Sequence, residues 1–241
     1  MQSGNLDYDI QGGDAQFVQL SLAPGAQVVA EAGALLWMDE AIAFETRFGD
    51  GSGSSVFGSL ISAGKRMLSG EGLVLTHFEN TGGRAARLAL GASLPGTIVP
   101  VDLRAWGGEL LCQDDAFLAA VAGTEIGIAF NRRISSGFFG EGFVLQRLRG
   151  DGMAFLHAGG ALREIRLEDE CLRLDSGCLV AFEPTLDYSV ELAGGLKTML
   201  FGGEGLALTT LSGRGRVLVQ SLPINRLARN LYAHMPQPEH A

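Results

Sequence analysis

The chain has 241 residues, 46% hydrophobic and 19% charged, so there is apolar side chain enough for a packed core and too much for a disordered polypeptide. Its 27 acids against 18 Lys and Arg give a formal net charge of -9, which argues against nucleic acid or anionic lipid as a partner, because both require clustered cations. No apolar run approaches the ~18 residues of a membrane span, and the opening "MQSGNLDYDI" lacks the basic start and apolar middle of a secretion signal. A cytoplasmic protein without a transmembrane segment is expected.

In chain order, the first patterned phrase is "GALLWMD" from Gly33, and the glycine-serine stretch from Gly49 to Ser55 then reads as a hinge. From about Val56 to Leu68 the apolar period becomes helical, with Phe57, Leu60, Ile61 and Leu68 on one face and Ser59, Ser62, Lys65 and Arg66 on the other. Such a helix is roughly 20 Å long, too short to cross a bilayer. Its expected roles are to cap its own barrel or to pack against another subunit or a protein partner. Membrane-surface docking is the least favoured, since Lys65 and Arg66 alone make a thin basic face.

The next phrase, "SGEGLVL" (Ser69 to Leu75), is written again as "FGEGFVL" (Phe139 to Leu145) and "GGEGLAL" (Gly202 to Leu208). Counting from Gly70, Gly140 and Gly203, glycines recur at plus two (Gly72, Gly142, Gly205) and leucines at plus five (Leu75, Leu145, Leu208). Phe78, Leu148 and Leu211 stand at plus eight, Asn80, Gly150 and Gly213 at plus ten, and Gly82, Gly152 and Gly215 at plus twelve. Asn is the residue other than Gly that best tolerates positive φ, so the spacing predicts a left-handed turn at plus ten. Each copy reads as a strand, a glycine turn and a returning strand, which is a β-hairpin.

The earlier phrase also recurs, as "GELLCQD" from Gly108 and "GCLVAFE" from Gly177, placing Asp39, Asp114 and Glu183 at plus six. Two phrases in one order, three times, predict three units at about 15–91, 92–160 and 161–222. Each is too short to hide its apolar face alone, so residues 1–241 are expected to form one domain. Residues 223–241 supply a second short helix, with Ile224, Leu227, Ala228 and Leu231 on one stripe, and a tail.

The stretches "SGEGLVLTHFENTG", "LPGTIVPVDL", "GFFGEGFVLQRLRGDG" and "FGGEGLALTTLSGRGRVLVQSLPINRLA" resemble the altered-inheritance-of-mitochondria (AIM) family of uncharacterised proteins, over nearly the whole chain and in order. The resemblance implies an all-β fold of three repeats, each similar to a subunit of the tryptophan RNA-binding attenuation protein (TRAP), in the double-stranded β-helix class. The family has no established catalytic activity, and its eukaryotic members are tied to mitochondrial inner-membrane organisation. A binding or assembly role follows. RNA binding does not, because fold does not transfer function and no basic groove with stacking aromatics is written here.

Candidate sites are few. Glu71, Glu141 and Glu204 occupy one place in every copy, so three carboxylates arranged about a pseudo-threefold axis could coordinate a hard cation or a small ligand. Their flanking glycines point first to a backbone constraint. "GSLISAGKR" fails as a phosphate loop, with five residues between Gly58 and Gly64 and Arg66 where Ser or Thr must hold magnesium. Cys112, Cys171 and Cys178 form no C-x-x-C pair, and His77, His157, His234 and His240 have no metal spacing. The sequence therefore predicts no catalytic residues, metal or cofactor, and a homo-oligomeric scaffold or interaction protein, with a small-ligand or metal-binding protein that uses the repeated Glu positions or a barrel pocket as the alternative.

Overall fold

A computed structural model describes residues 6–49, 73–133, 142–192 and 207–235. The chain divides into two compact units, Met1–His157 and Ala158–Ala241. Every ladder with a recorded register is antiparallel, as an all-β chain of hairpins requires.

The first unit opens with β1 (Asp7–Gln11), β2 (Phe17–Leu22), β3 (Gln27–Glu31), β4 (Leu35–Met38) and β5 (Ile42–Gly49). After the segment outside the described residues come β6 (Leu73–Asn80), β7 (Ala86–Gly91) and β8 (Gly96–Asp102). Then follow β9 (Glu109–Gln113), β10 (Phe117–Val121), β11 (Glu125–Arg133), β12 (Gly142–Arg149) and β13 (Met153–Gly159). One sheet has the order β1-β2-β7-β4 and a second β5-β6-β3-β10-β13-β8, while β12 lies between β11 and β9.

Period-two burial explains the packing. In β2, Val18, Leu20 and Leu22 point inward and join Val28, Phe78, Leu88, Leu90, Leu118 and Phe155 in the core. By contrast, β10 is buried from Phe117 to Ala120, so both of its faces are covered as well as both of its edges paired.

The second unit is built on two long strands, β14 (Leu162–Asp175) and β17 (Ala207–Gln220), with β15 (Leu179–Phe182) and β16 (Asp187–Leu192) also paired to β17. Asp169 takes a φ of 68° at the register shift that bends β14. The sequence-predicted C-terminal helix is α1 (Ile224–His234), and none of its residues is buried.

Three ladders carry the same break. β4 slips against β7 between Leu35 and Trp37, β10 against β13 between Phe117 and Ala119, and β15 against β17 between Leu179 and Ala181. The skipped residues, Leu36, Leu118 and Val180, therefore correspond. The plus-five leucines also correspond, since Leu75, Leu145 and Leu208 lie opposite Glu31, Gln113 and Asp175. The predicted hairpins do not form: β6 pairs with β3 and β5 while β7 pairs with β2 and β4, β12 pairs with β11 and β9 while β13 pairs with β10, and the third copy runs through the unbroken strand β17, because each strand finds its partners elsewhere in the chain.

Two details of the sequence reading are corrected by this register. Gly33 and Gly177 precede β4 and β15, but Gly108 precedes β9, so Val121 rather than Asp114 matches Asp39 and Glu183. The phrase around Gly108 shares an apolar pattern with the other two and not their place in a ladder. The predicted left-handed turn at plus ten forms in no copy: Gly213 has a φ of 110° but lies within the unbroken strand β17, opposite Glu170 at the register shift, and neither Asn80 nor Gly150 has positive φ.

Asn80 is instead fully buried, and its amide donates to Leu22 O at 2.7 Å and Arg84 O at 2.8 Å while its Oδ1 accepts from Gly82 N at 2.9 Å. The glycines at plus twelve are required by close approach. A Cβ on Gly82 would lie 2.8 Å from Ala41 Cβ, one on Gly215 would lie 2.9 Å from Thr185 Oγ1, and one on Gly152 would overlap Val121.

Candidate functional site: a carboxylate cluster and an open sheet edge

Glu31 ends β3, and Asp114 and Asp115 open the 3-10 turn Asp114–Ala116 that joins β9 to β10. Because β10 pairs with β3 from Ala119 opposite Ala30, the turn brings three carboxyls into mutual electrostatic reach. Burial pushes Glu31 from 4.5 up to about 7, with Asp115 and then Asp114 adding repulsion. Asp115 rises from 3.8 to about 6, chiefly by burial and then by the charge of Asp114. Asp114 is also raised by burial, while backbone hydrogen bonds pull the other way. All three side chains keep exposed surface, so solvent screens the cluster even as the surrounding protein disfavours its charge.

The cluster can take up protons near neutral pH. Beneath it the fully buried Cys112 has its thiol pushed far up, first by burial and then by Asp115 and Asp114, which holds it in the unreactive protonated form. Among the described residues, no group of three or more His, Cys, Asp or Glu side chains is arranged to hold a metal ion. His157 is buried and titrates below its usual range because burial disfavours its cation.

The raised Glu31 carboxyl has a stability consequence. The folded chain holds its proton between about pH 4.5 and 7, where the unfolded chain has released it, so stability falls as pH rises through that window. Melting curves of Glu31→Gln across pH 5 to 8 are expected to be flatter than those of the parent, with the gain concentrated above pH 7. An unchanged difference between the two proteins at every pH would refute this.

Acid-arginine brackets close two of the corresponding ladders. Asp39 accepts Arg87 N at 2.8 Å and faces Arg87 Nη2 at 3.0 Å, which holds its carboxyl below the usual range. Glu183 accepts Arg216 N at 2.8 Å and Arg216 Nε at 2.7 Å in the same manner. Arg87 also lies over the Trp37 ring, 5.4 Å from its centroid.

The sheet edge at β4 differs from its counterpart. β10 pairs with β13 on one side and β3 on the other, whereas β4 pairs with β7 alone among the described residues. Leu36 and Trp37 are accordingly 53% and 38% exposed, where Leu118 and Ala119 of β10 are both at 0%. An unpaired strand edge with exposed large apolar side chains is a ready template for another strand.

Of the residues that the sequence singles out, Glu71, Glu141, Glu204, Phe57, Leu60, Ile61 and Leu68, with Gly70, Gly72, Gly140, Gly203 and Gly205, lie outside the described residues. Gly142 begins β12 opposite Arg133, Gly82 and Gly152 lie in the connections from β6 to β7 and from β12 to β13, and Gly215 lies within β17 opposite Leu167. Glu31, Asp115, Arg87 and Arg216 escape sequence reasoning. The doublet in "CQDDAF" was the one local signal, and its partner Glu31 is joined to it only by strand pairing.

No helix among the described residues is long and apolar enough to cross a membrane. A family model described as "Mitochondrial biogenesis AIM24" matches residues 8–222. The uncharacterised protein M6_Spy0233 of Streptococcus pyogenes serotype M6 is 29% identical over 222 residues, which is 91% of this chain and 86% of that protein. The X-ray structure of SPYM3_0169 from Streptococcus pyogenes superposes with a TM-score of 0.77 at 24% identity, covering 96% of this chain and 100% of the other. That likeness is one of fold.

Proposed function

The chain belongs to the mitochondrial biogenesis AIM24 family, and from that premise we propose that it is a non-enzymatic scaffold or interaction protein that works by self-association. In this reading the chain is one TRAP-like unit written three times, supported by the shared break in the ladders of β4, β10 and β15. The observation that carries the function is the edge of β4 that has no partner among the described residues, where Leu36 and Trp37 are exposed although the corresponding residues of β10 are buried. Size-exclusion chromatography with light scattering tests it. The protein is expected to elute at a multiple of 25.4 kDa. A monomer at every concentration tried would overturn the reading.

A second reading keeps a ligand or cation at Glu71, Glu141 and Glu204, and it rests on their common place in the repeated phrase. On that reading calcium or magnesium raises the melting temperature of the parent and leaves the triple variant Glu71→Gln, Glu141→Gln, Glu204→Gln unmoved. No shift in the parent, with no stoichiometric metal by elemental analysis, would remove it.

A further inference from the structure

We draw no further inference here: the strongest candidate, the outward apolar stripe that Ile224 and Leu231 of α1 form with Met235, stays exposed while Arg226 of the same helix is bonded to Asp175, and nothing in the structure shows what covers it.

Discussion

Asn80→Gly is expected to destabilise the fold by about 3 kcal/mol, although glycine stands at the corresponding position in both other copies of the phrase. The buried carbonyl Leu22 O would lose its donor, at roughly 1–3 kcal/mol, and the part-buried Arg84 O would lose its own at a smaller cost. Gly82 N would lose its acceptor as well. If Asn80 served only to permit a left-handed turn, glycine would be neutral or better, so urea unfolding of this one variant separates a backbone role from a side-chain role. A midpoint equal to that of the parent would favour the backbone.

Glu183→Ala is the second large effect, expected to cost about 3 kcal/mol. Glu183 and Arg216 are 19% and 17% exposed, so removal of the carboxylate leaves a guanidinium and a backbone N–H poorly solvated. Asp39→Ala breaks the same bracket at the corresponding place, yet Arg87 is 60% exposed and water replaces the lost partner. A much smaller loss follows there. Equal losses in the two variants, measured by thermal and urea unfolding, would show that burial does not set the strength of these brackets.

The sequence and the fold meet most closely where local spacing and strand register coincide. Leu75, Leu145 and Leu208 are spaced alike from a glycine, and the ladders set them at one register, opposite Glu31, Gln113 and Asp175, because equal spacing along an extended strand brings residues to equivalent rungs. The same spacing misleads at Asn80, where the amide side chain bridges to Leu22 across 58 residues and no left-handed backbone is needed. It misleads again at Gly108, because an apolar run followed by an acid is compatible with either β9 or β10. Glu31 and Asp115 illustrate a further limit. Neither belongs to a motif, and their coupling exists only because β3 and β10 pair edge to edge. The exposure of Trp37 is likewise a property of what β4 lacks beside it among the described residues, which no local pattern records.

The acid-arginine brackets and the open edge lie on the same short strand, so stability and assembly can be varied separately. Asp39 and Arg87 fasten the end of β4 to β7, while Leu36 and Trp37 face outward. Native mass spectrometry of the parent beside Leu36→Glu, Trp37→Glu, with melting temperatures recorded on the same samples, tests this most directly. A homo-oligomeric parent and a folded, monomeric double variant are predicted. A parent that is monomeric, or a folded double variant that keeps the full assembly mass, would contradict a role for the β4 edge in self-association.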